Sequence, residues 1–146
     1  MSFLLDTNVI SEWVKPRPDP HVIAWLAETD EDRTFLSVVS FAQIRRGIEL
    51  LPEGRRRSRL AAWLADELPG RFEGRILPID RRIAQTWGIL RIRGSHAGAT
   101  LGSIDAFFAA TAEARRLTLV TRNTKDFASI GIPLFNPWQP LSPNLT

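Results

Sequence analysis

Short apolar runs of strand length alternate along this chain with stretches of helical spacing, and that alternation restricts it to an α/β protein with a mainly parallel sheet. The predicted strands are Ser2 to Leu5, Thr34 to Val39, Arg75 to Ile79, Thr118 to Thr121 and a short Pro133 to Phe135. The second is rich in β-branched and apolar residues, as a strand buried on both faces should be. Between them the pattern predicts helices from about Asn8 to Val14, His21 to Glu28, Phe41 to about Leu51, Arg55 to Leu68, Arg81 to about Arg93, and Ile104 to Arg115. In the fourth, Leu60, Trp63, Leu64 and Leu68 fall three and four apart and form one apolar stripe, which suits it to pair with the helix before it. Ser40, Asp80 and Ser103 stand where N-caps are expected, Pro16 stops the first helix, and Gly94 to Gly102 reads as a loop. The 146 residues are expected to form a single domain (1–146) whose proline-rich tail, 136–146, packs on the sheet.

Two acidic residues interrupt this apolar scheme. Asp6 ends the first strand, and Asp105 opens the alanine-rich helix Ser103-Ile104-Asp105-Ala106-Phe107-Phe108. Ligands of open parallel sheets bind beyond the carboxyl ends of the strands, where strand order reverses. Asp6 stands at such an end. If the first and fourth strands are neighbours, Asn123 and Asp126 of Thr121-Arg122-Asn123-Thr124-Lys125-Asp126-Phe127 face it, and Asp105 lies in the first turn of the helix that feeds the fourth strand. Two carboxylates ~4 Å apart repel by roughly 4 kcal/mol at an effective dielectric of ~20, so such a group needs a cation or a bound proton.

Composition narrows the cation. The chain has no cysteine and only His21 and His96, which excludes disulfides and the usual zinc ligand sets. Oxygen ligands with an incomplete protein shell suit Mg²⁺ or Mn²⁺, with Asp6 and Asp105 as the expected metal ligands. Each position also has a structural use: Asp6 can cap the first helix, Asp105 complements a helix dipole, Asn123 and Asp126 suit a turn, and Asp80 needs nothing beyond capping. The basic side comprises 17 Arg and 2 Lys, clustered at Arg45-Arg46, Arg55-Arg56-Arg57 with Arg59, Arg81-Arg82, and Arg91 with Arg93. Guanidinium forks match phosphate, so these clusters are compatible with nucleic acid, although each also reads as a solvated helix face. No run is long enough to span a bilayer and the start lacks a secretory pattern, so a cytoplasmic setting without membrane contact is expected.

Four segments, in order, resemble the PIN-domain ribonucleases, and specifically the VapC toxins of bacterial toxin–antitoxin pairs. They are Leu5-Asp6-Thr7-Asn8-Val9-Ile10-Ser11-Glu12, Ser40-Phe41-Ala42-Gln43-Ile44-Arg45-Arg46-Gly47, Ile104 to Ala112, and Leu119 to Phe127 with Asn136-Pro137-Trp138. The resemblance implies a three-layer α/β/α PIN-like fold, a Mg²⁺- or Mn²⁺-dependent endoribonuclease cutting RNA, a homodimer, and a small VapB-like antitoxin through which DNA is met indirectly. It implies catalytic positions at Asp6, Gln43, Asp105, Asn123 and Asp126, with Asn8 and Thr121 as supporting donors and Arg45, Arg46 and Arg122 as phosphate clamps. Gln43 departs from the pattern, which usually has Glu there. An amide oxygen can approach a metal but brings no charge, and Ser40-Phe41-Ala42-Gln43 also fits a capping box.

Two other readings remain at this level. A silenced module could dock an antitoxin in an apolar groove formed by Phe41, Ile44, Ile48, Leu60, Trp63 and Leu64. A phosphorylated Asp6, as in haloacid-dehalogenase-like phosphatases or receiver domains, fits poorly: no second acid adjoins it, and the only lysines are Lys15 and Lys125.

Overall fold

In the computed structural model, which describes residues 1–98 and 101–139, five parallel strands form one sheet in the order β3-β2-β1-β4-β5. The strands are β1 (Phe3–Leu5), β2 (Thr34–Ser37), β3 (Ile76–Leu77), β4 (Thr118–Val120) and β5 (Leu134–Phe135). The helices are α1 (Thr7–Ile10), α2 (Pro20–Glu28), α3 (Val38–Glu49), α4 (Arg55–Ala62), α5 (Leu68–Arg71), α6 (Arg81–His96), α7 (Ser103–Arg115) and α8 (Thr124–Phe127). Among the described residues, no helix is long and apolar enough to cross a membrane.

Strand alternation sorts side chains into two cores. Leu4 and Leu119 point to one face and pack with Ile83, Leu90, Phe108 and Ala109 of α6 and α7. Leu5, Leu36 and Val120 point to the other and pack with Val9, Ile10, Val22, Ile48, Leu64 and Phe72. The result is the expected three-layer α/β/α sandwich. On the first face Trp87 of α6 stacks on Phe107 of α7 at 5.4 Å and donates its indole N–H to the Ser103 carbonyl at 3.0 Å. Trp138 packs against the second core, in line with the expectation for the tail; residues 140–146 lie outside the described residues.

Several boundaries differ from the sequence pattern. The second strand ends at Ser37, whose hydroxyl accepts from the Val39 N–H at 3.1 Å, so Val38 and Val39 begin α3 instead of extending the strand. Ser37 is therefore the cap, Ser40 is buried in the first turn, and Gln43 is not in a capping box. The first helix is one α turn followed by a 3-10 turn, Ser11–Val14. The helix at 55–68 changes pitch: α4 passes into a π-helical turn, Trp63–Glu67, in which the Leu68 N–H reaches back to the Trp63 carbonyl, before α5 continues. Pro69 explains the widening, because it has no N–H for the preceding turn and its ring crowds the carbonyl there.

The third strand is only Ile76–Leu77. Helix α6 runs through Gly94 to His96, which shortens the expected loop; residues 99 and 100 lie outside the described residues. Asp80 caps α6 through the Ile83 N–H at 2.9 Å, whereas α7 starts after Gly102 with no side-chain cap, so Ser103 does not cap it. Arg116 closes α7 in the left-handed region at φ 55°, with the Leu117 N–H on the Ala112 carbonyl at 2.8 Å. An L side chain is disfavoured there by roughly 1–2 kcal/mol. Arg116→Gly is expected to raise the melting temperature by about 2–4 °C, the equivalent of ~1 kcal/mol in a domain of this size, measured by calorimetry.

Candidate active site

The carboxyl edge of the sheet is built by the pairing of β1 with β4. Their register sets Leu5 opposite Val120, so the next residues, Asp6 and Thr121, emerge side by side. The Asp6 N–H continues the ladder to the Val120 carbonyl at 2.9 Å. Its carboxylate, 6% exposed, accepts from the Thr7 N–H at 2.7 Å and from the Thr121 hydroxyl at 2.8 Å. Thr121 also accepts from the Asn123 N–H at 3.1 Å, which fixes the loop leading to α8. Asp6 is thus both a helix cap and an oriented acid.

Asp105, half-buried in the first turn of α7, and Asp126, exposed on α8, complete a chain of like charges. Burial pushes the Asp6 carboxyl above the ordinary Asp range, and the neighbouring Asp105 charge pushes the same way against the two hydrogen bonds. Asp105 is raised by burial first and by Asp126 second. The three acids therefore interact in sequence, Asp6 with Asp105 and Asp105 with Asp126. Asp80 behaves oppositely: the Ile83 N–H and then Arg115 lower it, which fits a capping role.

Gln43 reaches the same edge from α3. The Thr7 hydroxyl donates to its amide oxygen and lies 3.0 Å from the Ser40 hydroxyl, forming a polar string beside Asp6. Thr7 and Ser40 are the part of the site that sequence reasoning missed; the only signal was two hydroxyl residues within the matched segments. Beside this edge Asn8 places a buried side-chain oxygen with no hydrogen-bond partner among the described residues. Asn123 makes no side-chain cap to α8.

The arginines expected as phosphate clamps fare differently. Arg45 is paired with Glu49 at 3.0 Å, and Arg122 lies 5.5 Å from the Trp138 ring, so both have structural partners. Arg46 is exposed and forms no ion pair among the described residues. The residues expected to line an antitoxin groove are mostly packed: Ile48 and Leu64 are buried, and Phe41, Ile44, Leu60 and Trp63 lean on the second core.

The donor set fits a hard divalent cation. It consists of carboxylate and amide oxygens only, and two of its acids are held where charge is costly, a cost that a cation removes. Asp6 and Asp105 would hold the ion. Among the described residues no three His, Cys, Asp or Glu side chains gather closely enough to form a complete protein cage, so water or substrate would have to complete the coordination.

The raised acids give a pH signature. A carboxyl whose folded pKa lies above its unfolded value stabilises the fold below the unfolded value, near 3.8, and that contribution disappears as pH rises through the folded pKa. In metal-free protein, wild type is expected to lose stability relative to Asp105→Asn as pH rises above about 4. Thermal melts from pH 4 to 7 should show the two curves diverging upward; parallel curves would contradict the repulsion.

Comparison with known proteins agrees with this fold. The model of the PIN domain family matches residues 3–133. The chain is 37% identical over 135 residues to the toxin FitB of Neisseria gonorrhoeae, covering 92% of this chain and 97% of FitB. It is 35% identical over 137 residues to the VapC ribonuclease Y4jK of Sinorhizobium fredii, covering 94% and 98%. A chain in the structure of FitAB bound to an IR36 DNA fragment superposes with a TM-score of 0.91 at 34% identity, covering 97% of this chain and 99% of that one. DNA-bound VapBC from Salmonella typhimurium gives 0.78 at 26% identity, covering 95% and 99%.

Proposed function

The chain belongs to the PIN-domain family, and from that membership we propose that it is the toxin of a toxin–antitoxin pair, a Mg²⁺- or Mn²⁺-dependent endoribonuclease that hydrolyses RNA phosphodiester bonds. The observation that carries this reading is the meeting of Asp6 and Asp105 at one sheet edge, each with its ionised form disfavoured by burial and by a neighbouring acid. Capping alone does not call for that arrangement. A bound divalent ion supplies neutralisation of charge on the scissile phosphate and acidifies the attacking water.

The chain's own residues do the positioning. Thr7 and Thr121 fix the Asp6 carboxylate, burial keeps bulk water from it, and Asp105 faces the same edge from α7. Asp126 and Asn123 stand at the margin, where they can orient water or a second ion. Gln43 contributes an oxygen without charge, which should weaken metal binding. A small VapB-like antitoxin, and DNA met through that antitoxin, belong to the same proposal and are supported by the DNA-bound FitAB and VapBC relatives; a single domain, a homodimer and a cytoplasmic setting are proposed with them.

Cleavage of single-stranded RNA in Mn²⁺ tests the activity. Asp6→Ala should abolish cleavage and Gln43→Glu should raise it by about tenfold or more, the scale on which residues around a metal tune activity. Absence of cleavage by Gln43→Glu across metals and substrates would overturn the nuclease reading for this chain.

One observation favours a second reading, a silenced PIN module that docks an antitoxin and assists DNA binding: Gln43, at the position where the resemblance leads one to expect an acid, brings no charge, and its amide oxygen is engaged by Thr7. Calorimetric titration with Mn²⁺ separates the two. The enzyme reading expects binding that Asp105→Asn removes, and the module reading expects none in wild type.

A further inference from the structure

Four of the five tryptophans have a ring or guanidinium partner. Trp13 meets Phe72 and Arg71, Trp25 meets Phe3 and Phe135, Trp87 meets Phe107 and Arg91, and Trp138 meets Arg122. Trp63 has no such partner among the described residues. It lines instead a cavity of about 450 Å³ between the 3-10 turn Ser11–Val14 and α4, together with Trp13, Lys15, Arg56, Arg59 and Glu67. Trp63 and Glu67 reach this cavity from the two ends of the π-helical turn, a kind of irregularity often found at functional sites.

The charges there are unevenly committed. Lys15 is paired with Glu12, and Arg57 on the same helix is paired with Glu49 at 2.6 Å. Arg56 and Arg59 are exposed and form no ion pair among the described residues. A ligand complementary to this wall has a flat face for Trp63, anionic oxygens for the two guanidiniums, and a hydrogen-bond donor for the Glu67 carboxylate. A nucleotide with an amino-bearing base has all three. An acidic peptide would match the arginines but meet Glu67 with like charge and leave the indole face without a stacking partner.

We propose that this cavity is a subsite for one nucleotide of single-stranded RNA, its base stacked on Trp63 and its phosphates held by Arg56 and Arg59. The proposal rests on the ribonuclease reading and extends it to how the substrate is held away from the scissile bond. Trp13 follows Asp6 by α1 and the 3-10 turn, a rise of roughly 12 Å, so one oligonucleotide can reach both places. Stacking on an aromatic face with basic side chains along the backbone is the usual arrangement for single strands.

The test uses the full chain carrying Asp6→Ala to prevent cleavage, a fluorescent single-stranded oligoribonucleotide, and anisotropy in a salt series. Adding Trp63→Ala should weaken binding about 5- to 150-fold, the range for removal of one stacked base, while Trp63→Phe retains most of the affinity. Replacing both Arg56 and Arg59 by Ala should flatten the salt dependence by about 0.7 in log–log slope for each phosphate no longer neutralised. Unchanged affinity and slope in variants with wild-type melting temperatures would overturn the subsite and leave the nuclease reading intact. So would variants that bind RNA normally but no longer hold a coexpressed antitoxin. RNA binding absent from wild type and Asp6→Ala alike would overturn both.

Discussion

Everything at the site depends on the parallel pairing of β1 with β4. That ladder places Asp6 beside Thr121, two residues 115 positions apart in sequence, and their hydrogen bond fixes the carboxylate that both halves of the chain help to bury. The elements flanking β4 deliver the other polar groups: α7 enters it carrying Asp105, the loop that leaves it carries Asn123, and α8 carries Asp126. Because the sheet is parallel, these groups share its carboxyl edge. The order β3-β2-β1-β4-β5 makes the junction of β1 and β4 the place where strand order reverses, the point at which open parallel sheets bind ligands.

The same convergence sets a physical cost. Asp6 is nearly inaccessible and already accepts two hydrogen bonds, yet burial and Asp105 still raise its pKa. Hydrogen bonds to a carboxylate favour ionisation, so desolvation and repulsion outweigh them here. With Glu in place of Gln43 the repulsion would grow, and so would the affinity for a cation. Gln43 keeps the local charge lower than a carboxylate would, with Thr7 engaging its amide oxygen from the residue next to Asp6.

The strand and helix alternation, the neighbouring first and fourth strands, and the two odd acids were legible because each follows from a local pattern or a topological rule. Boundaries were less so. Val38 and Val39 are β-branched and suit a strand, and only the Ser37 hydroxyl, which captures the Val39 N–H, turns the chain into α3 there. Gly94 suggests a loop, but Arg93 is tied to Glu113 at 2.8 Å and α6 stays helical against α7 through His96. The polar string of Thr7, Ser40 and Gln43 joins residues more than thirty positions apart, so no local pattern announces it. The unstacked face of Trp63 was hidden for a related reason: helical spacing puts that residue on an apolar stripe, and the widened turn before Pro69 leaves it lining a cavity.

The central claim is that Asp6 and Asp105 together form a cation site at the β1–β4 edge. Anomalous diffraction from crystals soaked in Mn²⁺ tests it most directly. The account predicts a peak beside these two carboxylates. A peak elsewhere, or none at Mn²⁺ concentrations that saturate binding in solution, would contradict it.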